Sequence, residues 1–133
     1  RKALAGVDWG LLLTFAAFFT FSGNLARIEP ARRLFAALLS HGTMLVSALV
    51  SQVISNVPAA ILLSQFTADY RGLLLGVNIG GAGTLVASLA SLITFREYTK
   101  RVPGGSRRFL ALFSAVSFAF LAVLLLAMTA LAP

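Results

Sequence analysis

The chain contains no cysteine, which excludes disulfides, thiolate metal sites and cysteine nucleophiles. Charge of either sign is scarce: 11% of residues are charged, against roughly 25% in an ordinary soluble domain. Acids are scarcest of all. Asp8, Glu29, Asp69 and Glu97 each flank an apolar stretch, and none lies inside one. Membrane enzymes and proton-driven machines usually place an ionisable residue within the bundle, so an enzyme is not expected here. No small-residue cleavage site follows the first apolar stretch, which reads as a span and not as a signal peptide. Arg1 stands where an initiator Met would, and the chain is expected to be a piece of a longer one.

Apolar residues supply 59% of the 133 residues, and the mean hydropathy is +0.92. No charge falls in 9–26, 72–95 or 109–132, and from Leu34 to Ala68 the only ionisable group is His41. Each stretch is about 18 residues or longer, and about 20 residues of helix cross the hydrocarbon core. The composition therefore predicts an all-α, polytopic membrane protein. The net charge of +7 sits between these stretches, at Arg27, Arg32 and Arg33 and again at Arg96, Lys100, Arg101, Arg107 and Arg108. That distribution sets orientation in a bilayer; nucleic-acid binding is not expected.

Along the chain, 9–26 reads as a span anchored by Trp9. Pro30 suits the first turn of a new helix, and Ala31, Leu34, Phe35 and Leu38 share one face of 30–40, as in a helix lying at the interface. His41 reads as an interfacial residue at the break that follows. The segments 42–54 and 59–68 are about 20 Å and 15 Å long as helices, too short to span about 30 Å. Joined by Ser55-Asn56-Val57-Pro58, they predict a re-entrant hairpin over 42–68. Gly76, Gly80, Gly81 and Gly83 cluster around Asn78 and predict a broken helix over 72–95, divided into 72–79 and 84–95. A basic loop, 96–108, precedes a plain span, 109–132.

Both interruptions start a half-helix near mid-membrane. Ser55 or Asn56 can cap the helix that begins at Pro58, and Thr84 the one running to Phe95. Half-helix N-termini suit anionic groups, while freed carbonyls and Asn, Ser or Thr oxygens suit a small cation such as Na⁺. Thr43, Ser47 and Ser51 recur along the first hairpin leg with Gln52 close by, and Thr84, Ser88 and Ser91 form a similar stripe beyond the second break. A single small polar residue in such a stripe more often lets helices approach. Asn56 and Asn78, each within a break, are the stronger functional candidates.

Ser55-Asn56-Val57-Pro58, followed by Gly76-Val77-Asn78-Ile79-Gly80-Gly81-Ala82-Gly83-Thr84-Leu85-Val86-Ala87-Ser88, resembles the second-repeat motifs of the ion transporter superfamily. That group holds citrate-transporter-like permeases, sodium/dicarboxylate symporters, arsenite permeases and sodium/proton antiporters. Val7-Asp8-Trp9 with its Leu-rich span is similar too. The resemblance implies half of an inverted-repeat transporter in which hairpin tip and helix break clamp ion and substrate. Carried over, it assigns Ser55, Asn56 and Pro58 at the tip and Asn78, Gly80, Gly81, Thr84 and Ser88 at the break, with Na⁺ at Asn56, Asn78 and Thr84. Val57 stands where the dicarboxylate branch often has Thr, Pro58 is similar to the arsenite-permease branch, and Ala87 and Ser91 replace the Gly and Asn the resemblance implies.

The expected function is secondary transport of a small anion or oxyanion across the inner membrane, coupled to Na⁺ or H⁺, by a multi-pass protein without a cofactor. Its expected partners are the bilayer, the anionic substrate, the upstream half of the same transporter and a second copy in a homodimer. A sodium/proton antiporter of the same superfamily, or a non-transporting membrane scaffold, are the alternative readings. A bundle-facing acid upstream would mark the first, and tolerance of Ala at Asn56 and Asn78 the second.

Overall fold

The structure is a computed structural model that describes residues 9–131. Val7 and Asp8, which the sequence sets beside Trp9, lie outside them, as do Ala132 and Pro133. The described residues are 82% helix with no strand, as an all-α membrane protein should be. In chain order the helices are α1 (Trp9–Leu25), α2 (Glu29–Leu39), α3 (Thr43–Ile54), α4 (Asn56–Leu63), α5 (Tyr70–Gly80), α6 (Leu89–Arg101) and α7 (Ser106–Leu131), with a 3₁₀ turn at Leu85–Ala87.

Among the described residues, α7 is the one unbroken helix with the length and composition to cross a bilayer, with 26 residues, or about 39 Å; α1 and α2 reach that length only as a bent pair. α1 and α2 bend by 96° relative to each other. The bend falls where Pro30, at the start of α2, lacks the N–H that would continue the α1 ladder. Glu29 then sits in the first turn of α2, where a negative charge suits the helix dipole, and pairs with Arg33 at 3.0 Å.

α3 and α4 have 12 and 8 residues, about 18 Å and 12 Å, and they fold back on each other. Val46, Val50 and Ile54 of α3 pack against a core made of Leu39, Ala59, Leu63, Leu73 and Val77. Phe66, just past α4, stacks on Phe35 of α2 with ring centroids 4.5 Å apart. The chain therefore returns to the end it left. The expected four-residue tip contracts to Ser55 alone, whose φ of +73° makes the reversal. α4 starts at Asn56, not Pro58, because a proline in the first turn lacks only an N–H that has no helical acceptor there.

α5 lies along α3, and the fit is set by glycine. A Cβ on Gly76 would run into the Met44 carbonyl, and one on Gly80 would stand 2.8 Å from the Ala48 Cα and the Ser51 Cβ. Ser47, Ala48 and Ser51 on the facing side are buried. For Ser47, Ser51 and Gly76 this is close packing of small residues.

The boundaries of the broken helix also differ from the expected 72–79 and 84–95. Gly76 and Gly80 are helical; the break runs over 81–88, and Ser88, not Thr84, caps the next helix by accepting from the Ala90 N–H at 3.2 Å. α6 then continues to Arg101 and α7 begins at Ser106, so the expected loop 96–108 shrinks to a turn at 102–105. Basic residues mark where apolar character ends, which is not where a helix must end. Lys100 donates to Glu97 at 2.6 Å along α6 and holds that exposed carboxyl below its usual range.

The long helix gives the others a common scale. Met128 and Leu131 share a cavity with Met44, Asp69 and Arg71, while Phe109 packs against Phe95 and Tyr98. Arg71 and the turn 102–105 thus lie at opposite ends. Gly83 meets Leu121, about 22 Å along α7 from Ser106. The helix break sits at mid-height.

Candidate functional site

The hairpin tip reaches this same height. Ser55 Oγ donates to the Ala87 carbonyl at 3.4 Å, and the Asn56 Nδ2 lies 3.1 Å from where a Cβ on Gly81 would stand. Two irregular stretches of backbone, one from each broken element, are therefore in contact. Such backbone needs its polar groups met internally.

Gln52, on the last turn of α3, meets most of them. Its Nε2 donates to the carbonyls of Gly80 at 2.7 Å, Ala48 at 3.0 Å and Ala82 at 3.2 Å. Its Oε1 accepts from the Thr84 N–H at 2.9 Å, and its own carbonyl accepts from Thr84 Oγ1 at 2.8 Å. Gly83 closes over the amide with φ of +121°, and a Cβ there would strike the Gln52 Oε1. No side chain fits at that point, and few residues but glycine tolerate that φ. Gln52 was not among the residues assigned to the site from sequence. Its signal was a lone long amide in an apolar helix, where an unpaired amide is costly; its partners lie about thirty positions downstream and no spacing rule reaches them.

Asn56 and Asn78 line one cleft of about 490 Å³ together with Phe15, Phe19, Ala60 and Leu74. Asn56 Oδ1 accepts from the Val57 N–H at 2.9 Å, which leaves Nδ2 as a donor. Asn78 Nδ2 donates back to Leu74 at 2.7 Å, which leaves Oδ1 as an acceptor. The cleft thus offers donors from one wall and an acceptor from the other, on an otherwise apolar lining.

The remaining expected site residues divide. Ser55 and Pro58 line a second, apolar pocket with Leu11, Val86 and Leu89. Gly80 is committed to packing on α3, and Gly81 ends α5 against Asn56. Ser88 caps α6. Thr84 is held on Gln52 and does not line the cleft of Asn56 and Asn78. Among the described residues no cluster of His, Asp or Glu could hold a metal, and His41 lies exposed between α2 and α3.

An uncharacterized transporter of Methanocaldococcus jannaschii is 43% identical to the chain over 90 residues, which cover 68% of this chain and 26% of that protein. The inner membrane protein YbiR of Escherichia coli is 41% identical over 105 residues, covering 76% and 28%. The chain spans about a quarter of the length of these curated relatives. No family model matches it, and no solved structure does. Its likeness is to a stretch of a named transporter and to a stretch of an inner membrane protein.

Proposed function

We propose that the chain is the C-terminal part of the membrane domain of a secondary transporter for a small anion or oxyanion, working by alternating access. One observation carries this reading: Asn56 at the hairpin tip and Asn78 on the broken helix wall a single mid-height cleft. The relatives' names support transport and an inner-membrane location in general terms. Asn56 Nδ2 and the Asn56 main-chain N–H would donate to the anion, and the dipole of α4 would favour its charge. Asn78 Oδ1 would accept from a protonated or hydroxyl-bearing oxygen. Phe15 and Phe19 would keep water from the bound group. The opposite wall would come from the upstream half of the same protein, in a multi-pass, inner-membrane assembly that forms a homodimer. Transport would be coupled to Na⁺ or H⁺.

The test is uptake of citrate, succinate and arsenite by the full-length protein carrying Asn56→Ala or Asn78→Ala, at matched membrane expression. A hydrogen bond to a charged group contributes about 1.5–3 kcal/mol, so each variant should lose roughly tenfold or more in uptake. Wild-type uptake by both would remove the assignment.

A further inference from the structure

At the C-terminal end of α5, main-chain carbonyls converge on a side-chain amide. The Gly80 carbonyl closes the last turn of α5, and that of Ala82 lies two residues beyond it. Among the described residues neither accepts a backbone N–H. Carbonyls at a helix end carry partial negative charge. Together with the Ala48 carbonyl they converge on one nitrogen, the Nε2 of Gln52, at 2.7, 3.2 and 3.0 Å. Three carbonyl oxygens around one point are the donor set of a hard monovalent cation. An amide NH₂ brings two protons to the same point. The other end of the amide is fixed as well, by the Thr84 N–H on Oε1, and Gly83 leaves no room for it to turn aside.

We propose that Gln52 is a tethered stand-in for a coupling cation at this break: its amide protons neutralise the end of α5, and no Na⁺ enters the cradle while Gln52 is in place. Gln52 is a positioning residue, since it holds the break against α3 and touches the cleft of Asn56 and Asn78 only through it. Its consequence for transport rests on the function proposed above. Any coupling ion then sits away from this break.

The experiment compares thermal unfolding of the purified full-length protein in NaCl and in choline chloride at equal ionic strength, for wild type, Gln52→Ala and Gln52→Lys. Removing the amide opens the carbonyls, so Gln52→Ala should gain a Na⁺-dependent rise in Tm larger than that of wild type, growing with the logarithm of Na⁺ concentration. Gln52→Lys returns a tethered donor and should be stable in both salts without that extra rise. Recovery of folded Gln52→Ala in NaCl alone supports the same conclusion, and its failure in both salts while Gln52→Lys folds overturns it. Equal Na⁺ responses in wild type and Gln52→Ala overturn it. So does a response present in wild type and lost in Gln52→Ala, or failure of Gln52→Lys in choline chloride. These readings do not involve uptake, so failure of the Asn56 and Asn78 assignment would leave them standing.

Discussion

Thr84 meets Gln52 twice, through its N–H to Oε1 at 2.9 Å and through its hydroxyl to the main-chain carbonyl at 2.8 Å. The two contacts seize both the side chain and the backbone of one residue, and so fix the break on α3. Thr84→Val keeps the shape and removes the hydroxyl bond. It should lower the stability of the full-length protein by about 1 kcal/mol. In a double-mutant cycle with Gln52→Ala the two losses should fall short of additive, because they belong to one network. Additive losses in denaturant unfolding would show that the hydroxyl contact is independent of the amide.

The α3–α5 contact predicts a sharp difference among glycines. Gly76→Ala and Gly80→Ala drive a methyl into the backbone of Met44 and of Ala48, an overpacking cost of about 1–3 kcal/mol or more. Gly23→Ala has open space around it within 4 Å and should be neutral or slightly stabilising within α1. Thermal stability of the three variants in detergent checks the ranking, and equal behaviour would contradict the close approach.

Because the chain has no cysteine, its own residues add no background to single-Cys labelling. Arg32 shares a cavity with Phe66 and Tyr70, and Arg71 one with Leu131, so Arg32→Cys and Arg71→Cys should label from one face. Arg107→Cys should label from the other, which the cluster of Arg96, Lys100, Arg101, Arg107 and Arg108 marks as cytoplasmic. A full span over 34–54 would instead put Arg32 with the cluster. Labelling of Arg32→Cys from the cytoplasm would overturn the hairpin.

Residues 1–133 alone should neither transport nor bind ligand tightly. Asn78 is exposed, and Leu74 is 57% accessible, so much of the cleft has no second wall. Co-expression with the upstream part should raise its stability in detergent. Saturable counter-flow of citrate, succinate, arsenite or Na⁺ by the fragment in liposomes would contradict the reading of a divided site.

The all-helical character was legible because long apolar runs are bounded by charge. The sequence placed the reversal within Ser55-Asn56-Val57-Pro58 because Pro58 marks a helix start within a few residues, but not at Ser55 alone. It placed Gly80 in the unwound stretch, since a glycine that admits a neighbour's backbone and one that turns the chain look alike until that neighbour is known. It ended α6 early at Phe95, because Arg96 marks the end of apolar character while the helix runs on to Arg101. Of the site residues, Asn56 and Asn78 do share a cleft. Thr84 does not, for the reason that Gln52 holds it elsewhere, and that reason exists only in three dimensions.

The stack of Phe35 on Phe66 makes the hairpin a cantilever, clamped at its foot and carrying its working end at Ser55. The beam is about 18 Å long. A rotation of about 10° at the foot would sweep the far end by about 3 Å, roughly the length of one hydrogen bond. Since Gln52 rivets the break to that beam, Asn56 and Asn78 ride on the same lever, and a small adjustment between two aromatic rings is geared up at the cleft they line.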